Sequence, residues 1–274
     1  MIHYDPTGLQ ASDYEHPADR IALAAVKKIP LLDKLFASYL NYYSKSGDYQ
    51  ITTLNDFRVT AQTYPRLYTL YQTALDRLNM DVEPKLFIRN AYDYNGYTFG
   101  VKEEPYIVLN SFAVGEPSDE EFLYLVGHEL GHVKSGHVLY SNLIRMLYSF
   151  ITNNTPIPPI ITGGASLSLL SWSRKSELTA DRAGIIAAGG VKGAEQFMMR
   201  FMGKSAANRY VDFSTDKITQ QIESFDDMQE QLTNKAVYWM LISMQTHPLA
   251  IERIREAQAW AQTPEYKQLL DVNK

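Results

Sequence analysis

The chain of 274 residues contains no cysteine. That absence removes disulfide staples, thiolate metal sites and cysteine nucleophiles together, and leaves nitrogen and oxygen as the ligands for any metal. An excess of positive charge is also missing: 26 Lys and Arg against 31 Asp and Glu give a formal net charge of -5. The basic residues are scattered, so no surface that concentrates nucleic acid is expected. The opening stretch, MIHYDPTGLQASDYEHPADR, carries prolines and acids where an export signal needs a basic start and an apolar run of about 7 to 15 residues. No such signal is read, and the expected location is cytoplasmic. Long hydrophobic runs are lacking as well. The most apolar region, Val138 to Trp172, is broken by Arg145, TNNTP and TGGAS. Its piece from Ile157 to Trp172 is shorter than the roughly 20 residues that a spanning helix needs. No membrane span is expected, although peripheral membrane association is compatible with the pattern. With 45% hydrophobic residues, a chain of this length buries a substantial core.

What is present reads as an α+β protein, mainly α. Residues 1–80 form a helical N-terminal portion, with helices expected from Ala18 to Lys45 around a break at Pro30, and another from Tyr64 to Met80 carrying Leu67, Leu70, Tyr71, Ala74 and Leu78 at helical spacing. Between Lys85 and Leu109 the runs KLFIR, YTFGV and YIVL, separated by Asn95-Gly96 and Glu104-Pro105, predict a small sheet. Ser118 and Glu121 form an S-x-x-E capping box at the head of a long helix. A second helix from about Ser171 should stop at Gly189-Gly190. The stretch from Asp212 to Met244 is expected to be helical, and Pro248 should open a last helix through Trp260. No repeat or linker is visible, so 1–274 is read as one domain.

The long helix carries FLYLVGHELGHVKSGH, with three of the six histidines inside ten positions. Residues four apart share a helix face, so His128 and His132 project to one point, the spacing of two ligands of one zinc ion. Glu129 is rotated beside that face, where its carboxylate reaches a water on the metal without taking a ligand position. It is then placed as a general base. A catalytic zinc needs a third protein ligand and one open position. There are two candidates. His137 follows His132 by nearly one and a half turns, which on a continuous helix points it elsewhere, and Ser135 and Val138 stand where a metzincin needs glycine and histidine. Glu177 in SELTADRAG is favoured: it offers an oxygen ligand, and Asp181 one turn on can accept from the far nitrogen of a ligand histidine. Ala180, Ala183 and Gly184 allow the two helices to approach closely.

His128-Glu129-Leu130-Gly131-His132, followed by His137 and then by Glu177-Leu178-Thr179-Ala180-Asp181-Arg182, resembles the HtpX-like zinc peptidases, relatives of the CAAX prenyl proteases. These are gluzincins, with glutamate as third ligand. NAYDYNGYTFG is similar to the family's segment ahead of an edge strand, and THPLAIERI to its late His-Pro-x-x-x-x-Arg element, so that the order matches from Lys85 to Ile254. The resemblance implies a zincin-like fold with a small sheet beside the H-E-x-x-H helix and a catalytic core over 85–254. It implies one zinc ion per chain on His128, His132 and Glu177, Glu129 as base, and Asp181 as the partner behind a ligand. His247 and Arg253 would approach from the C-terminal side. His247 would stabilise an oxyanion or cover the metal, or serve only as the N-cap before Pro248, and Arg253 would pair with Asp181 or Glu252. The spanning segments of membrane relatives are not found, nor is there room after Ile254 for the helical-repeat domain of periplasmic ones.

The expected function is therefore a zinc-dependent endopeptidase acting on extended or unfolded polypeptide, the substrate adding to an exposed strand near Tyr106 to Leu109. The alternative is a latent or inactive zinc-binding scaffold of the same fold, which would have no use for Glu129.

Overall fold

The computed structural model of the chain describes residues 8–29, 32, 34, 36, 48–93, 95–101, 104–115, 117–152, 164–203, 220–221, 223–224 and 248–270. Among these, a 3-10 turn (Ala11–Asp13) leads to α1 (Pro17–Val26), α2 (Asp48–Asn55), β1 (Phe57–Arg58), α3 (Pro65–Arg77), β2 (Lys85–Arg89), β3 (Gly96–Gly100) and β4 (Pro105–Asn110). There follow α4 (Ser111–Gly115), α5 (Asp119–Lys134), α6 (Val138–Thr152), α7 (Gly164–Ala188), α8 (Val191–Phe201), α9 (Ala250–Ala261) and α10 (Pro264–Leu270). The architecture is mainly helical with one small sheet.

That sheet has the order β1-β2-β4-β3. β2 runs parallel to β4, with Phe87 opposite Val108, and β3 runs antiparallel to it, with Thr98 opposite Ile107. β4 is thus paired on both edges, and all six of its residues are buried. This corrects the expectation of an exposed strand near Tyr106 to Leu109: its apolar run is that of a central strand covered on both faces, and among the described residues the strands with one unpaired edge are β1 and β3. The pleat divides β4 cleanly. Ile107 and Leu109 enter the main core with Leu123, Val126 and Leu130 of α5, whereas Tyr106 and Val108 pack with Phe87 and Phe99 on the far face. β1, inside the stretch read as purely helical, joins the sheet by pairing antiparallel with β2.

α5 begins as its capping box dictates: Ser118 Oγ accepts from the Glu121 amide at 3.3 Å, and Glu121 Oε2 accepts from the Ser118 amide at 2.7 Å. The most extensive helix contact is α5 against α7. It depends on small residues from both helices. A Cβ added at Gly131 would fall 2.6 Å from Ala183 Cβ, and one at Gly184 would fall 2.7 Å from the Tyr124 carbonyl oxygen. No side chain fits at either place, so the backbones approach near enough for ligands from both helices to meet.

α7 starts at Gly164 instead of about Ser171, because Leu169 and Trp172 continue its buried face into a second apolar cluster with Val26 of α1 and Leu143 and Ile144 of α6. Its end is a Schellman turn: Gly189 has φ 77°, and the Gly190 amide reaches the Ile185 carbonyl at 3.0 Å. α9 begins at Ala250 with Leu249 as N-cap, so Pro248 precedes the helix and does not open it. Of the expected helix from Asp212 to Met244 only residues 220–221 and 223–224 are described, and they are helical; the rest of it, most of the stretch after Pro30, and His247 lie outside the described residues. Among the described residues no helix is long and apolar enough to cross a membrane.

Candidate metal centre

Three buried side chains meet where α5 and α7 touch. One ligand atom each from His128, His132 and Glu177 lies within 4.8 Å of the others, a group that could hold a metal ion. His128 Nε2 is 3.5 Å from Glu177 Oε2, and His132 Nε2 is 3.3 Å from Glu177 Oε1. A tetrahedral site with bonds of about 2.0–2.1 Å separates its ligand atoms by about 3.3–3.4 Å, so the spacing suits one small cation. The donor chemistry fits too. Both rings turn Nε2 inward beside the carboxylate while Nδ1 of each is engaged elsewhere: His128 Nδ1 is 2.9 Å from Asp181 Oδ1, and His132 Nδ1 is 3.1 Å from His137 Nδ1. Outward partners of this kind fix the orientation of ligand imidazoles.

Behind His128 lies a dense ionic cluster. Asp181 Oδ1 also accepts from the Tyr124 hydroxyl at 2.7 Å and from Arg253 Nη2 at 2.5 Å, and Oδ2 accepts from Arg253 Nε at 2.8 Å. Arg253 Nη1 is 3.7 Å from Glu177 Oε2, and the residue is only 7% exposed. Burial pushes Asp181 up, but Arg253 and His128 more than reverse this and hold its carboxyl far below the usual carboxylate range. Burial likewise disfavours a charged His128. The hydrogen bonds to Asp181 and Glu177 outweigh it, raising the imidazole to about 9 in the metal-free protein. His132, one turn on, goes the other way: burial lowers it and the neighbouring histidines add to that, against the pull of Glu177.

Glu129 is buried beside the ligands, on the side of β3. Its Oε2 accepts from Thr98 Oγ1 at 2.7 Å. Its Oε1 lies over Gly96, where an added Cβ would come within 3.4 Å. A cleft of about 290 Å³ opens over Glu129, both histidines and Glu177, bounded by Asn95 to Thr98 of the β3 segment and by Leu125, Val138, Ile144, Phe197 and Phe201. Arg145 stands in it with its guanidinium 4.3 Å from the centre of the Tyr97 ring.

The structure therefore brings together His128, Glu129, His132, Glu177, Asp181 and Arg253. His137 is absent from the metal-ligand group but touches it from behind. α5 ends at Lys134, and the chain reverses through Gly136 at φ 71°, so His137 is not carried onward along a continuous helix. Thr98 and Tyr124 were not singled out by the sequence reading. A threonine inside a strand and a tyrosine inside a helix are ordinary, and only the packing of α5 against β3 on one side and against α7 and α9 on the other gives them partners.

A mainly helical α+β fold with a four-stranded sheet beside an H-E-x-x-H helix, and a glutamate presented by a second helix, defines a zincin-like metallopeptidase. Within that class the chain belongs to peptidase family M48, whose model matches residues 61–261. It is 27% identical over 273 residues to the plastoglobule-localized metallopeptidase 48, chloroplastic, of Arabidopsis thaliana, an alignment covering 96% of this chain and 76% of that protein. The location in that protein's name lends no support to a cytoplasmic one here. No solved structure matches the chain.

Proposed function

We propose that the chain is a zinc-dependent endopeptidase that hydrolyses peptide bonds in extended or unfolded polypeptide, with Glu129 as the general base. The observation that carries this reading is the convergence of the two inward Nε2 atoms and the Glu177 carboxylate, with a second, separately held carboxylate in the same cleft.

Zinc held by His128, His132 and Glu177 would supply a Lewis acid for the scissile carbonyl and make a nearby water acidic near neutral pH. Glu129 takes the proton of the attacking water on its carboxylate and later passes it to the leaving amine. The Thr98 hydroxyl occupies Oε2, so the oxygen on the Gly96 side is the one turned to this task. Substrate adds its backbone to the edge of β3 that β4 does not use, which selects extended chain over compact domains. The apolar wall of Leu125, Val138, Ile144, Phe197 and Phe201 receives an apolar side chain next to the cut. Asp181 and Arg253 fix His128 from behind. By the family resemblance His247 is a donor to the developing oxyanion, and it lies outside the described residues.

Metal content and casein cleavage of Glu129→Gln and Glu177→Ala test the proposal. Glu129→Gln should keep one zinc per chain and lose about 10²- to 10⁴-fold in cleavage rate, and Glu177→Ala should lose the metal. A Glu177→Ala protein that holds zinc as tightly as wild type removes Glu177 from the ligand set. Wild type that holds one zinc yet leaves casein and varied peptides intact favours the latent scaffold.

A further inference from the structure

His132 is backed by a chain of contacts that leads out of the H-E-x-x-H helix and ends on the N-terminal helix. His137 Nδ1 stands 3.1 Å from His132 Nδ1, and His137 Nε2 lies 3.1 Å from Asp19 Oδ2 of α1. The second contact is close but falls short of a regular hydrogen bond, and the buried Nε2 makes no other among the described residues. Asp19 is fully buried and held by two elements of α7: Trp172 Nε1 donates to Oδ1 at 2.9 Å, and Thr179 Oγ1 donates to Oδ2 at 2.6 Å. The Thr179 hydroxyl in turn accepts from the His16 amide at 3.0 Å, and the Trp172 ring meets the His137 ring edge-on at 5.5 Å. Asp19 lies ahead of residues 61–261, the part matched by the family.

We propose that Asp19, acting through His137, is a positioning residue for His132, which makes the N-terminal helix part of the metal centre. The inference rests on the metal-site reading above and follows from which atoms can donate. Burial opposes an ionised Asp19, but the donors from His137, Thr179 and Trp172 reverse that and keep its carboxyl below the ordinary value. A carboxylate can only accept, so the imidazole tautomer that suits Asp19 has its one hydrogen on His137 Nε2, and Nδ1 is then an acceptor. His132 must then donate from Nδ1, which leaves the lone pair of Nε2 facing Glu177, where a cation needs it.

Asp19→Asn inverts this relay with almost no change in volume. The Trp172 indole can only donate, so it draws the amide oxygen to its side and leaves the NH₂ facing His137. His137 Nε2 must then accept, its Nδ1 hydrogen points at His132, and the hydrogen of His132 moves to the metal-facing nitrogen. Zinc affinity of the full chain, measured by chelator competition, should fall about 10- to 100-fold in Asp19→Asn and in His137→Phe. Val26→Ala serves as the control, since it loosens the packing of α1 in the cluster that includes Trp172 but removes none of the relay's hydrogen-bonding groups. It should lower the melting temperature of the metal-free protein yet leave zinc affinity within about twofold. Asp19→Asn binding zinc as tightly as wild type overturns the proposal, and so does Val26→Ala weakening zinc as much as Asp19→Asn. If Asp19→Asn does not fold, His137→Phe decides by the same criterion. Wild type that binds no zinc sinks the metal-site reading itself, and this inference with it.

Discussion

His128 and His132 sit one turn apart on the same helix, are equally buried, and face the same glutamate, yet their surroundings move them in opposite directions. The side behind His128 is ionic: Asp181 takes donors from His128, Tyr124 and Arg253, and the imidazole is raised to about 9. The side behind His132 presents another imidazole, with the carboxylate one residue further back, and His132 is lowered, by burial above all. The H-E-x-x-H spacing makes the two histidines equivalent in geometry. What makes them different is supplied by other elements: α7 and α9 on one side, α1 and the turn after α5 on the other. One ligand is held by opposite charge and the other by hydrogen-bond direction, so the two sides should fail in different ways.

The largest difference is expected from Arg253→Ala. Removing one partner of a buried ion pair leaves the other charge uncompensated and costs about 3–5 kcal/mol. Asp181, only 5% exposed, would lose both of its hydrogen bonds from the guanidinium in this way. Denaturant unfolding of the metal-free variant should show a loss of that size. The relay-inverting change on the other side, Asp19→Asn, should cost far less stability while still weakening zinc. Similar stability losses from the two variants would erase the distinction between the ionic and the directional side.

A pH titration sharpens the same contrast. In the metal-free protein His128 is raised to about 9 from an unfolded value of about 6.5. Its contribution to stability is therefore fully present below about 6.5 and is lost as pH rises towards 9. Zinc must expel that proton, so its apparent affinity should climb by up to about tenfold, or about 1.4 kcal/mol, per pH unit over this window and level off above it. His132, being lowered, competes for no proton there. Calorimetry in buffers of different ionisation enthalpy should find about one proton released per zinc at pH 7 and none near pH 10. A release of two protons at pH 7 would mean that the two rings titrate alike.

Much of this arrangement was legible in the sequence because it is local. The capping box at Ser118 and Glu121, the four-residue spacing of His128 and His132, that of Glu177 and Asp181, and the Gly189-Gly190 stop each express a rule of one helix. The strands were readable as runs, but their order was not. Which strand is central depends on pairing between segments far apart, and a buried run such as Pro105–Asn110 looks the same whether it lies in the middle of a sheet or against a substrate. Asp19 was invisible for the same reason. It is one acid in a polar opening, and only the packing of α1 on α7 brings it to Trp172, Thr179 and His137. His137 was misjudged in direction because a continuous helix was assumed through Ser135 and Gly136, where the chain turns back.

The smallest expected effect tests whether the ionic side has donors to spare. Tyr124→Phe removes only the hydroxyl that reaches Asp181 Oδ1, an atom that also receives His128 and Arg253. Burial above all, and then the charge of Asp181, holds the phenol well above its ordinary value, so at any working pH it acts as a neutral donor. Losing one of several hydrogen bonds to a carboxylate that stays satisfied should cost about 1.5 kcal/mol, the low end for a charged acceptor. The ring itself, in contact with Phe197, is kept. Zinc affinity should then fall less than in Asp19→Asn, although Tyr124 touches the carboxylate behind a ligand directly while Asp19 acts through a second ring. Three strong donors tolerate the loss of one, whereas a single file of hydrogen bonds has no alternative route. A Tyr124→Phe protein that loses more zinc affinity than Asp19→Asn would show that the hydroxyl, and not the guanidinium, sets the position of Asp181.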